Sequence, residues 1–257
     1  MLDNGSRHAE VTEVWQLMIG FGTIINSLAI VGGGVIGLMG GRFMKERIQD
    51  TLQRTCGVSV MLIGLAGAME QMLTVSDNSL TAGSSILLTV CLVLGALVGE
   101  AIDIEQWFER FGEWLKEKTR SSGDGAFVDG FVTASLTVSI GAMAIVGALE
   151  DGISGDWSVL AAKSVLDFII VLVMTCSMGK GCIFSAIPVL VFEGLITAFA
   201  VFIKPFMTQL ALDYISLVGS ALIFCVGVNL VWGKKIRVAN LLPAILWAAA
   251  AAFLPIA

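Results

Sequence analysis

Residues 131–193 read FVTASLTVSIGAMAIVGALEDGISGDWSVLAAKSVLDFIIVLVMTCSMGKGCIFSAIPVLVFE, three apolar runs in succession with ionisable side chains placed inside the second and third. A run of about 20 apolar residues is what a helix needs to cross a hydrocarbon core of about 30 Å. In the first run, Phe131–Leu149, the residues Ala134, Thr137, Gly141, Ala144 and Ala148 recur at threes and fours, so one helical face is small and invites close approach of a neighbour. The second, Ser158–Gly179, holds Lys163 and Asp167 one turn apart, and the third, Cys182–Ile203, holds Glu193 near its middle. A charge at the centre of a spanning helix costs roughly 2.5–3.5 kcal/mol, so these side chains are expected to face a bundle interior, a partner or a water-filled path.

The rest of the chain extends the same reading. With 56% hydrophobic and 14% charged residues it is too apolar for an ordinary soluble domain, whose charged fraction is about 25%. The expected fold is all-α, a polytopic transmembrane helical bundle of about eight spans in a single domain over residues 17–257, after a polar tail at 1–16. The net charge of -6 is carried mostly by loops and implies no nucleic-acid partner. Cys56, Cys91, Cys176, Cys182 and Cys225 lie in or beside apolar runs without a C-x-x-C pair, and the single histidine, His8, is in the tail. Neither a metal site nor a cofactor is expected.

Gly33, Gly37 and Gly41 line one face of span one, continuing the face of Asn26, and form a doubled G-x-x-x-G packing motif. The same segment, Gly32–Gly37, satisfies G-x-G-x-x-G, but neither a preceding strand nor a following acidic residue supports dinucleotide binding. Gly95 and Gly99 repeat the spacing in span three. With Gly67–Glu70 echoed by Gly147–Glu150, they suggest that spans one and two are duplicated as three and four, in parallel. After span three, residues 103–119 read as an amphipathic cytoplasmic surface helix with Ile104, Trp107, Phe108, Phe111 and Leu115 on one face. Twelve of the 15 Lys and Arg fall in the loops after spans one, three, five and seven, which places those loops in the cytoplasm.

Asp167, Glu193 and Asn26 fall at similar depth near the midplane, counted at about 1.5 Å per residue from the expected span ends. Pro188 lies five residues before Glu193, where it would free the carbonyl of Phe184. Asp167, Glu193, Asn26 and Lys163 are therefore the candidate substrate- or ion-binding residues, and Glu150, Glu70 and Glu100, at span ends, are secondary candidates. A structural alternative stands beside this: Lys163 and Asp167 pair within one helix, Glu193 is protonated, and Asn26 makes an interhelical hydrogen bond. The excess of acids favours a cation, H+ or Na+, as the moving or coupling species. A secondary transporter leads, ahead of a passive channel or a structural or regulatory membrane protein. An enzyme is not expected, because no Ser or Cys has an evident base. Expected partners are membrane lipid and a small solute or cation, with self-association into a homo-oligomer also open.

Gly22–Asn26, Gly130–Ser135, Gly141–Ala148 and Lys234–Pro243 together resemble a known family, the YdfK/YqgA-like bacterial membrane proteins (DUF554, a domain of unknown function). The resemblance runs from about Met18 to the C-terminus. It implies a multi-pass protein of the bacterial inner (plasma) membrane and a transporter, and it supplies no substrate or catalytic residue.

Overall fold

A computed structural model describes residues 19–76, 79–121 and 123–253 of the chain, so the polar tail, with His8, and the loop position Asp77 lie outside the described residues. The helices are α1 Phe21–Gly41, α2 Glu46–Met72, α3 Ser85–Ile102, α4 Ile104–Lys118, α5 Phe127–Ser139, α6 Ala142–Ser154, α7 Ser158–Met178, α8 Ala186–Ala198, α9 Ala200–Ile203, α10 Gln209–Trp232 and α11 Pro243–Ala251. Short 3-10 turns precede α8 (Lys180–Ser185) and α11 (Val238–Leu241). The all-α expectation holds for the bundle, with one addition: an antiparallel hairpin, β1 Leu73–Ser76 with β2 Ser79–Ala82, joins α2 to α3.

Glycine contacts set the directions of the helices. An added Cβ at Gly33 or Gly37 would collide with the carbonyls of Phe168 and Leu172, and one at Gly41 would come within 2.8 Å of that of Cys176. The numbers rise together, so α1 and α7 run parallel, backbone against backbone, and the Cys176 thiol donates to the Gly37 carbonyl at 3.2 Å. Gly32–Gly37 is thus helix interior, not a phosphate loop. Gly57 and Gly227 press on each other's neighbourhoods, and Gly64 on Ser220 and Phe224, which makes α2 and α10 antiparallel. Gly95 meets Ala244 and Gly99 meets Asn240, so α3 runs antiparallel to the C-terminal segment. The two G-x-x-x-G motifs therefore pack in opposite senses against their partners, α1 parallel to α7 and α3 antiparallel to the C-terminal segment.

Among the described residues, six helical segments are long and apolar enough to cross a membrane: Phe21–Gly41, Glu46–Met72, Ser85–Ile102, Ser158–Met178, Lys180–Ala198 and Gln209–Trp232. The expected fourth span is not one helix. It breaks into α5 and α6 with a 63° bend, and Gly141 at the break has φ +147°, a conformation L side chains rarely adopt. Gly141 is consequently not a packing glycine: a Cβ there would meet nothing within 4 Å, because the face expected to continue through it is interrupted. The bent pair still carries the chain from one end of the bundle to the other, since parallel α1 and α7 require an odd number of passes between them. Among the described residues that gives up to seven segments running the length of the bundle. The expected eighth span, about Val238–Ala257, runs past the described residues; its described helical part, Val238–Ala251, reaches roughly 20 Å against a core of ~30 Å.

The surface helix is present as α4, entered through Asp103 in the left-handed conformation (φ 55°). Its apolar face lies on the bundle: Leu115 is buried, Phe111 contacts Phe131 at 5.7 Å between ring centroids, and Trp107 and Trp114 remain exposed. Lys234 pairs with Glu105 at 2.7 Å and with Glu109, and Arg237 with Glu100 at 2.6 Å and Asp103 at 2.5 Å. Burial opposes the charge on Lys234, but its hydrogen bonds and attraction to Glu105 and Glu109 outweigh this and hold its pKa above the ordinary lysine range.

Candidate functional site

Four polar side chains from three helices meet inside the bundle. Asn26 of α1 donates through Nδ2 to Asp167 Oδ2 of α7 at 3.1 Å and to Glu193 Oε1 of α8 at 2.9 Å. Lys163, one turn before Asp167, pairs with Asp167 Oδ2, lies 3.6 Å from Glu193 Oε1 and donates to the Val138 carbonyl at 2.7 Å. Asn26 and Glu193 are fully buried, and Lys163 and Asp167 nearly so.

Local structure explains each position. Lys163 and Asp167 share a helical face by their i, i+4 spacing, and the parallel backbone contact of α1 with α7 brings Asn26 onto that face. The Val138 carbonyl is free because α5 ends at Ser139, so the ammonium sits at a helix C-terminus, where the macrodipole favours a cation. Pro188 acts otherwise than expected. It is in the first turn of α8, where a missing N–H costs no helical bond, and the irregular backbone is the 3-10 turn before it.

Two carboxylates thus share one ammonium, leaving one negative charge when all three are ionised. Two oxygens at the cluster, Asn26 Oδ1 and Glu193 Oε2, are buried without a hydrogen-bond partner. Such atoms are costly when left unpaired, and a proton on Glu193 Oε2 or a cation beside either oxygen is the chemistry that would pair them. A cleft of about 230 Å³ reaches Lys163 and Asp167 and is lined also by Val138, Ile140, Gly141 and Ser220. An apolar cavity of about 350 Å³, bounded by Pro188, Phe192 and Pro243, meets the other side of the Ile140–Gly141 break.

The cluster is not at the middle of every helix. Asn26 is in the second turn of α1, so the site lies nearer the Phe21 and Ser158 ends than a count from Leu17 implied. The secondary candidates stay apart from it: Glu70 is exposed, Glu100 is exposed and paired with Arg237, and Glu150 is half-buried. Reading the sequence missed Asp151, fully buried with Oδ1 accepting from the Gly20 N–H at 3.0 Å, and the hydroxyl pair Thr23–Thr197 at 3.3 Å. The threonines were within reach of spacing, since Thr23 precedes Asn26 by three residues and Thr197 follows Glu193 by four.

Two relatives share most of the chain. The uncharacterized membrane protein YdfK of Bacillus subtilis (strain 168) is 30% identical over 226 residues, which is 88% of this chain and 93% of the relative. The uncharacterized protein YqgA of Escherichia coli (strain K12) is 28% identical over 231 residues, 88% of this chain and 94% of the relative. No solved structure matches. The match to the family described as protein of unknown function (DUF554) spans residues 21–253, and the chain belongs to that family.

Proposed function

We propose that this protein is a secondary transporter of the bacterial inner membrane, a multi-pass protein moving a small solute or ion with H+ or Na+ coupled through Asp167 and Glu193. The observation that carries this reading is the buried cluster itself, where one lysine serves two acids beside a broken helix. Its two oxygens without a partner fit alternate loading and release of a cation. Broken helices whose ends face a buried ionic site recur in secondary transporters, because freed backbone groups and helix dipoles help to hold ions there. In this role Asn26 holds the two carboxylates together, Lys163 compensates the charge when no cation is bound, and rocking about Gly141 opens the site. The basic segments Arg42–Arg54, a short loop and the first turns of α2, and Lys234–Arg237 lie in the cytoplasm under this reading.

One observation favours a structural role instead: Lys163 is engaged by Asp167, the Val138 carbonyl and Glu193, as in a static ion pair. Labelling by a hydrophobic carbodiimide, which reacts with protonated buried carboxyls, separates the two. Purified protein is labelled over a pH series with and without Na+, and the modified residue is located by mass spectrometry. Transport coupling requires Glu193 or Asp167 to label in a pH-dependent manner, with Na+ protecting if Na+ is the ion. A static arrangement gives no labelling of Asp167, and labelling of Glu193, if any, that changes with neither pH nor Na+ while the protein stays folded. Solute uptake into proteoliposomes under imposed H+ and Na+ gradients then identifies what is moved.

A further inference from the structure

Asp151 is outside the cluster described above, yet no part of it is exposed, its Oδ2 has no hydrogen-bond partner and no cation pairs with it among the described residues. The carboxylate accepts from backbone N–H groups at the start of α1, Gly20 at 3.0 Å and also Gly22 and Thr23, and like Glu193 it keeps one oxygen without a well-formed hydrogen bond. Between the two acids, Thr23 of α1 and Thr197 of α8 face each other at 3.3 Å, 3% and 7% exposed, and Thr197 donates to the Ala148 carbonyl of α6 at 3.1 Å. Thr23 is three residues along α1 from Gly20, which Asp151 holds, and Thr197 is four residues along α8 from Glu193. Thr23, whose backbone N–H bonds to Asp151, is thus beside that carboxylate, and Thr197 is one helical turn from Glu193, a spacing that bridging water can close.

We infer that Asp151 and the hydroxyl pair Thr23–Thr197 form a proton route between the Gly20 and Gly155 end of the bundle and Glu193. The inference rests on Glu193 being the coupling group proposed above. A proton taken up at Asp151 Oδ2 passes to a threonine hydroxyl, which releases its own proton onward, and the last transfer protonates Glu193 Oε2. Each hydroxyl ends with one proton, as it began, and the reverse sequence returns the proton. A hydroxyl pair suits protons better than metal ions, which need several oxygens at once. The ionisable surroundings of Asp151 permit this. On its own segment Glu150 and Asp156 lie nearby, α1 carries no ionisable side chain, and α7 offers Lys163 and Asp167, already paired. From α8 comes Glu193, while Lys204 beyond α9 is exposed and Asp213 of α10 is half-buried.

The test follows protonation of Glu193 in time. Protons are released by a flash from a photolabile caged acid in purified full-length protein, and the infrared band of the protonated carboxyl is assigned with Glu193→Gln. Asp151→Asn, which keeps an acceptor for the Gly20 N–H, should slow the rise of the Glu193 band at least tenfold while leaving its final amplitude. Thr197→Val should slow it as well, and Thr197→Ser should restore it. Unchanged rates in both Asp151→Asn and Thr197→Val overturn the route. Loss of the final amplitude in Asp151→Asn also overturns it, since Asp151 then only positions the site. If the Glu193 band is absent from the wild-type protein at every pH, the coupling role of Glu193 itself fails, and the route falls with it.

Discussion

Replacing Lys163 by Met isolates what one side chain contributes at the residue scale. It leaves Asp167 and Glu193 buried without their cation, a change that costs about 3–5 kcal/mol where one partner of a buried pair is removed. The variant should melt well below the wild type in detergent, and Lys163→Met with Asp167→Asn should recover much of the loss, because the double change removes an acid with the base. Equal melting of Lys163→Met and wild type would mean that the acids are already neutral. Glu193→Gln keeps an acceptor for Asn26 and should fold with near wild-type stability, yet no longer show any cation-protected carbodiimide labelling at position 193. All four clustered residues were legible in the sequence, since a charge or an amide inside an apolar run is conspicuous. Asp151 was not, because beside the loop glycines Gly152 and Gly155 an acid reads as a span end, and only the docking of α1 on it buries the carboxylate.

Two glycines with the same apparent role at the sequence level separate at the scale of elements. Gly37→Leu should abolish folded yield, because even a Cβ would strike the Leu172 carbonyl and drive α1 from α7. Gly141→Leu should act through backbone strain at φ +147° rather than through a clash. Gly141→Ala should therefore be about as damaging as Gly141→Leu, whereas at Gly37 damage should grow with side-chain size; folded yield by size-exclusion chromatography checks both series. A second element, α4, is tied by Lys234. Since its folded pKa is raised, this tie contributes fully below the unfolded value of 10.5 and is lost as pH rises through the higher folded value. Lys234→Met should lower the melting temperature at pH 7 and lose that effect in strongly alkaline buffer. A repeat that the glycine motifs did not reveal is also visible here. Gly179 (φ 84°, ψ −167°) and Gly233 (φ 77°, ψ 174°) end α7 and α10 in the same conformation. Each is followed by a lysine, a 3-10 turn and a proline in the first turn of the next helix.

Topology follows from helix direction at the scale of the whole molecule. Single cysteines placed in the Arg42–Lys45 loop and at Lys235 should label from one side of the membrane, and those at Gly83 and Gly155 from the other, in a background lacking the five native cysteines. Labelling of positions 83 and 155 from opposite sides would mean that the bent pair α5–α6 does not complete a pass. The sequence by itself determined that this is a helical membrane bundle, where most helices begin and end, and which ionisable residues need shelter, because each of these is a matter of local hydropathy and spacing. Only the tertiary structure decided that α1 and α7 lie parallel in contact, that Gly141 breaks a helix instead of packing it and that Asn26 bridges two acids. Those depend on which backbones approach each other across the bundle, and apolar periodicity names a buried face without naming its partner.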